Sequence, residues 1–279
     1  MENNTKLYAK FCDTIVKYDL LKEIKKIVYL FSGGKDATIG LYLLNKYLKE
    51  NSLDIDLQAI MVTYPQHVYF NDDGSERECY AHIKKYWFGQ NVNLHVFVPD
   101  DADIGGDEAN ACKICKTARK KLVDKFLDDI DDKPSTAIVT GYTLYDILAY
   151  VDEMALVCNY DFRNYTKLDQ KIVNRIENCL HKMRAKEELP DGFRIIRPLV
   201  DFNEVDVVKS NNELNLRFIE TPCNAAKYKH KRAYFKMLDI AYSINNTTYE
   251  GVMKFLQDQD VVFPETFQDI EYDNSFTDC

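Results

Sequence analysis

Residues 26–36 read Lys26-Ile27-Val28-Tyr29-Leu30-Phe31-Ser32-Gly33-Gly34-Lys35-Asp36, and this run decides the fold. The five apolar residues after Lys26 are β-formers in an unbroken row, which predicts a strand buried on both faces. Two glycines follow, and then a stretch with Ile39, Leu41, Leu43, Leu44 and Leu48 predicts a helix. A strand, a Gly-Gly turn and a helix start make an anion site. The glycines turn tightly and bring backbone N–H groups up to a ligand with no Cβ in the way, and the helix adds the positive end of its dipole. Ser32 offers a hydroxyl donor, Lys35 a mobile charge for a pyrophosphate leaving group, and Asp36 a carboxylate for Mg²⁺ or for the α-phosphate. The spacing G-x-x-x-x-G-K-S/T is absent, so this is not a Walker loop. A plain Gly-Gly turn with a helix cap is the alternative. The position beyond a buried strand favours the phosphate site, because ligands of open α/β sheets bind at the carboxyl ends of the strands.

Further apolar runs at 57–62, 94–98, 136–140 and 194–199 predict four more strands. Helical patterns lie between them near 76–88, 112–130, 143–158 and 166–183, after an amphipathic helix at 5–23. Alternation of this kind predicts an α/β fold, a parallel sheet covered on both faces. Beyond Pro198 the pattern is helical at 203–214, 227–243 and 247–258, and the last dozen residues are acidic and polar. The expected organisation is an N-terminal helix (1–23), a nucleotide domain (24–200) and a helical C-terminal region with an acidic tail (201–279).

A chain of 279 residues with 46% hydrophobic content accommodates one large α/β domain with an appendage. No run of about 18 apolar residues predicts a membrane span, and the first residues lack the order of a secretory signal. A cytoplasmic location is expected, where eight cysteines are thiols or metal ligands rather than disulfides. The net charge of -9 opposes indiscriminate binding to nucleic acid unless a basic patch overrides it.

The SGGKD run resembles the PP-loop of the ATP-pyrophosphatase superfamily, whose members cleave ATP between the α- and β-phosphates. The serine or threonine that usually follows the Asp is replaced here by Ala37, with Thr38 one place later. A second element of that superfamily, Gly-His-Asn-x-Asp-Asp after a strand, corresponds to Gly141-Tyr142-Thr143-Leu144-Tyr145-Asp146. Gly141 and Asp146 match, whereas Tyr142 and Tyr145 replace the histidine and the first acid. The resemblance implies ATP bound by Ser32, Gly33, Gly34, Lys35, Asp36, Thr38, Gly141 and the strand end at Val62. It implies Lys35, Asp36 and Asp146 as the catalytic set, with Mg²⁺.

Cys112-Lys113-Ile114-Cys115 places two thiols on one helix face. Alone it fits zinc, a redox pair, an iron–sulfur cluster or chance. With Cys223 in Thr221-Pro222-Cys223-Asn224, after Ile196-Arg197-Pro198-Leu199, the order resembles the PP-loop enzymes that make 2-thiocytidine and 2-thiouridine in tRNA. The resemblance covers roughly residues 24–236 and implies that Cys112, Cys115 and Cys223 hold a [4Fe–4S] cluster. Three thiolates for four irons leave one iron open for sulfide, as an open zinc position holds water. Unrelated core thiols are the plain alternative, and a persulfide on the same cysteines is another.

The histidines are scattered and none is assigned a role. Two basic runs, Lys113/Lys116/Arg119/Lys120/Lys121 and Lys227/Lys229/Lys231/Arg232/Lys236, fit a phosphate-bearing substrate, or else are solvated helix faces. The expected function is adenylation of a carbonyl oxygen and its replacement by sulfur. The substrate is a tRNA base, which Arg197, Arg232 and the motif order favour, or a small or carrier-bound molecule, and a sulfur donor and a homodimer are expected partners. An amidating PP-loop ligase, which uses ammonia and needs no cysteines, and a non-catalytic nucleotide-binding module are the rivals.

Overall fold

The computed structural model describes residues 2–100, 103–104, 110–158, 170–225, 235, 238, 247–259 and 261. Its strands are β1 (Lys26–Leu30), β2 (Asp56–Val62), β3 (Asn93–Phe97), β4 (Thr136–Val139), β5 (Lys186–Glu188) and β6 (Arg194–Ile196). They form one sheet in the order 3-2-1-4-6-5. All pairings are parallel except that of β5 with β6. The mostly parallel α/β architecture is the one expected from the sequence. β1 lies at the centre, with Tyr29 opposite Ala59 on one side and Val139 on the other.

The alternation of β1 sorts its residues onto two cores. Ile27, Tyr29 and Phe31 pack with Phe11 of α1 (Glu2–Lys17), Ile39 and Leu43 of α2 (Lys35–Glu50) and Trp87 of α3 (Glu78–Gly89). Val28 and Leu30 pack with Ala118, Val123 and Leu127 of α4 (Ala111–Asp128) on the other face. The first core also takes in α5 (Leu144–Cys158), α6 (Gln170–Met183), α7 (Glu204–Glu213) and α8 (Tyr249–Asp258). The amphipathic helix expected to run to residue 23 stops at Lys17, and Asp19 and Glu23 take positive φ beyond it. Most of the helix expected at 227–243, and the acidic tail, lie outside the described residues. Among those described, no helix is long and apolar enough to cross a membrane.

The topology reverses between β1 and β4. The chain leaves β1 through α2 towards β2, and β4 lies on the opposite side of β1. Such a switch point opens a crevice at the carboxyl ends of the two strands, where Ser32–Asp36 and Gly141–Asp146 both fall.

One buried ionic group braces the far side of the sheet. Glu187 lies 2.8 Å from His181 Nδ1 and 3.2 Å from Arg197 Nη2. Arg197 also donates to the carbonyl of Arg184 at 2.7 Å. With Arg197 only 1% exposed, its guanidinium is spent inside the protein and lends no support to a tRNA substrate. Glu187→Ala leaves buried donors facing no carboxylate, a loss of about 3–5 kcal/mol. Urea unfolding measures it, and a change within experimental error means the group does not brace the fold.

Candidate functional site

Residues 32–34 link β1 to α2. Gly33 has φ +75, and a Cβ there would meet Ile219 Cγ1 and Met61 Cε at 2.9 Å. Gly34 caps α2 in ordinary extended backbone, φ -72 and ψ 166, and a Cβ on it would meet only Ser32 Oγ, at 3.3 Å. The fold therefore demands glycine at 33, while at 34 only a ligand against the backbone can demand it. Ser32 Oγ accepts from the Gly34 amide at 3.2 Å, so this hydroxyl also shapes the turn. Three donors pin the loop's carbonyls: Tyr69 Oη to Ser32 O (3.1 Å), the Ile219 amide to Gly33 O (2.7 Å) and Asn211 Nδ2 to Lys35 O (3.0 Å). The first-turn amides of α2 have no acceptor within the helix.

Lys35 Nζ sits 3.1 Å from Asp36 Oδ2 and 3.1 Å from Glu204 Oε2, in the first turn of α7. Burial acts to lower the Lys35 pKa, but the two carboxylates outweigh it and leave it raised. Burial also pushes the Asp36 carboxyl up; Lys35 opposes this and Glu204 adds to it. Asp36 Oδ1 and Thr38 Oγ1 are shut off from solvent with no hydrogen-bond partner. Val62 is buried at the end of β2, and its carbonyl accepts from the Tyr64 amide at 2.9 Å.

Gly141, beyond β4, approaches the start of α2 so closely that a Cβ would meet the Ala37 amide nitrogen at 3.3 Å. Its neighbours point into the core. Tyr142 accepts from Tyr150 Oη at 3.3 Å and lies under Arg197, 5.5 Å from its ring centre. Tyr145 is fully buried, with Phe235 at 5.8 Å. Both tyrosines therefore serve packing. Asp146 accepts from the Thr143 amide at 3.0 Å and from the Thr143 hydroxyl at 3.2 Å, which caps α5.

Cys112, Cys115 and Cys223 are half-buried thiols outside any disulfide. The first two lie in the first two turns of α4, and Cys115 Sγ reaches the Tyr64 carbonyl, beyond β2, at 3.8 Å. Cys223 packs on the same apolar cluster as Cys115. The adjacent Asn224 amide donates to His67 Nε2 at 3.0 Å. The basic run of α4 is described, and Lys120 is paired there with Asp124. Lys227, Lys229, Lys231, Arg232 and Lys236 lie outside the described residues.

No protein-family profile matches the chain. It is 24% identical over 255 residues to a tRNA(Ile)-lysidine synthase of Thermosipho africanus, covering 90% of this chain and 52% of that protein. It is 22% identical over 214 residues to the cytoplasmic tRNA 2-thiolation protein 1 of Caenorhabditis briggsae, covering 76% and 52%. The chain thus spans about half the length of these relatives. Its fold superposes on the U34-tRNA thiolase NcsA of Methanococcus maripaludis, solved with its [4Fe–4S] cluster. The TM-score is 0.64 at 18% identity, over 91% of this chain and 78% of that one. It has the PP-loop α/β fold.

Two groups implied by the sequence resemblance are set against the residues present. Mg²⁺ takes one or two carboxylates together with substrate phosphates, and the unpartnered Asp36 Oδ1 with Glu204 alongside fits that demand. For a [4Fe–4S] cluster the donor chemistry fits: three free thiols, two of them one helical turn apart, with Cys115 and Cys223 on a shared apolar floor. Among the described residues, however, no group of three or more His, Cys, Asp or Glu side chains is drawn together tightly enough to hold a metal. The convergence expected of the three cysteines is therefore not formed in this structure.

Several residues around the PP-loop have no signal in the sequence. Glu204, Asn211, Tyr69 and Ile219 reach the loop from 37 positions (Ser32 to Tyr69) to 186 positions (Gly33 to Ile219) away along the chain. Local pattern carries no trace of such contacts. His67 stands in no motif, and its partner Asp103 is equally distant.

Proposed function

We propose that this PP-loop protein is an ATP-dependent sulfurtransferase that adenylates a carbonyl oxygen of a tRNA base and replaces it with sulfur. The observation that carries this reading is the strap at 219–224. Its Ile219 amide is bonded to Gly33 of the phosphate loop, so one short segment ties Cys223 to the nucleotide end. The relatives named for tRNA modification support the choice of substrate.

In the first step the substrate oxygen forms a bond to the α-phosphorus of ATP, and the bond to pyrophosphate breaks. Lys35 and the first-turn amides of α2 stabilise the negative charge on the departing pyrophosphate. Asp36, with Glu204 beside it, would hold Mg²⁺, whose charge would add to that neutralisation. In the second step a C–S bond forms at the activated carbon as its C–O bond breaks, and AMP leaves with the oxygen. A donor at the sulfide oxidation level makes this a substitution, with no electrons to supply. Cys112, Cys115 and Cys223 would hold a [4Fe–4S] cluster, whose chemistry here is an iron without a thiolate, open to sulfide.

Anaerobic incubation with ATP, sulfide and tRNA tests the reading. Digestion should yield a thionucleoside, with one AMP released for each sulfur incorporated. AMP release without sulfur in the product points instead to the amidating ligase and overturns the sulfur chemistry.

The tRNA assignment has its own test. A chain with a net charge of -9 holds RNA only through a concentrated basic face. Every basic side chain taken off a phosphate should flatten the log–log salt slope of binding by about 0.7–0.9. The variant K116E/R119E/K229E/R232E should bind bulk tRNA more weakly and with a shallower slope. Parent binding that does not respond to salt moves the substrate to a small or carrier-bound molecule.

A further inference from the structure

We propose that His67, its tautomer fixed by Asp103, is the positioning residue that seats Cys223. The proposal rests on reading Cys223 as the third cysteine of the sulfur site. His67 lies in the short turn Gln66–Val68 that follows β2. Its Nδ1 is 2.6 Å from Asp103 Oδ2. An ionised carboxylate only accepts, so the ring hydrogen sits on Nδ1 and Nε2 presents a lone pair. The Asn224 amide donates to that lone pair at 3.0 Å.

The ring is held from behind as well. Asp103 Oδ1 accepts from the Gln66 amide at 2.7 Å, and Oδ2 accepts from the His67 amide at 2.9 Å. Arg77 Nε donates to the His67 carbonyl at 3.0 Å. The backbone of the turn and the orientation of the ring are thus fixed by one carboxylate. The strap that ends on this ring is pinned at its start by the Ile219 amide on Gly33 O, 2.7 Å, and by Cys79 Sγ on the Phe218 carbonyl, 2.9 Å. Cys223 is the residue before the anchored amide, about 3.8 Å away between α-carbons. It cannot drift from the turn after β2 while that bond holds. Cys115 Sγ contacts Tyr64 O just upstream of the same turn. The ring is therefore the device that holds the strap cysteine at the turn after β2, next to the Tyr64 carbonyl that Cys115 contacts. No step of the sulfur chemistry passes through it.

Iron-free protein gives the test, read by hydrogen exchange and by iodoacetamide alkylation with mass spectrometry. In the parent, the Asn224 amide should exchange about tenfold more slowly than an unstructured amide, the scale of one net hydrogen bond. In His67→Ala that protection should vanish and Cys223 should alkylate several-fold faster, with Cys112 unchanged. His67→Gln carries an amide oxygen near the place of Nε2 and should restore both values. Free exchange at Asn224 in the parent, or an unchanged Cys223 rate in His67→Ala, overturns the proposal. Thiolation that survives Cys223→Ala would overturn the sulfur reading instead, and it would leave the exchange result standing, since exchange needs no activity.

Discussion

Gly34→Val should fold like the parent and lose ATP affinity by at least about a hundredfold, equivalent to about 2.7 kcal/mol. Gly34 lies in ordinary extended backbone, and a Cβ there would meet only the Ser32 hydroxyl, at 3.3 Å, so the unliganded fold accepts valine once that side chain gives by a few tenths of an ångström. Phosphates drawn against the loop amides would meet the new methyl groups directly. Gly33→Val provides the contrast, because φ +75 disfavours any side chain and its Cβ would run into Ile219 and Met61. That variant should lose stability as well as affinity, the left-handed conformation alone costing about 1–2 kcal/mol. Calorimetric ATP titration beside urea unfolding separates the two effects. A folded Gly34→Val with parental affinity would remove the phosphate loop from the site.

Anaerobically purified protein should carry about four irons per chain, and Cys112→Ala, Cys115→Ala and Cys223→Ala should each reduce that nearly to zero. Three thiolates are the minimum set for this cluster, so removing one leaves two ligands for four irons and no cluster. Cys12→Ala serves as control. Burial pushes the Cys12 thiol up, which disfavours the thiolate a metal needs, and it lies on α1, remote in sequence from the other three. Iron and acid-labile sulfide analysis, with the visible absorbance of the brown protein, measures the result. Iron retained in all three variants would dismiss the cluster, as would a parent that holds only zinc.

The sheet is legible in the sequence because its inner strands advertise themselves. β1, β2 and β4 are apolar runs, and parallel strands covered on both faces leave no other pattern. β5 is hidden because Lys186-Glu187-Glu188 is three charged residues long, and it is a strand only because β6 offers a free edge. The same charges mislead at Arg197. A basic residue beside a proline reads as a surface contact until its acid partner, Glu187, ten positions upstream, is brought against it. The phosphate loop can be read because strand, glycines and helix are contiguous. Its supports cannot: Glu204 beside Lys35, Asn211 under the loop and Asp103 behind His67 are products of tertiary folding. Tyr142 and Tyr145 are recognisable as departures from the family pattern. Only the packed structure shows that both side chains turn inward, and that Asp146 is occupied in capping α5.

The bond from the Ile219 amide to the Gly33 carbonyl joins two main-chain groups. Any residue other than proline can supply that amide, so side-chain identity at position 219 does not record the link. Selection can change the side chain at position 219 while the tie to the phosphate loop persists. Alignments at the level of identity seen here would pass over it without a mark, and a survey of relatives would have to look for the tie in coordinates, where a backbone donor within reach of the second loop residue is its whole signature.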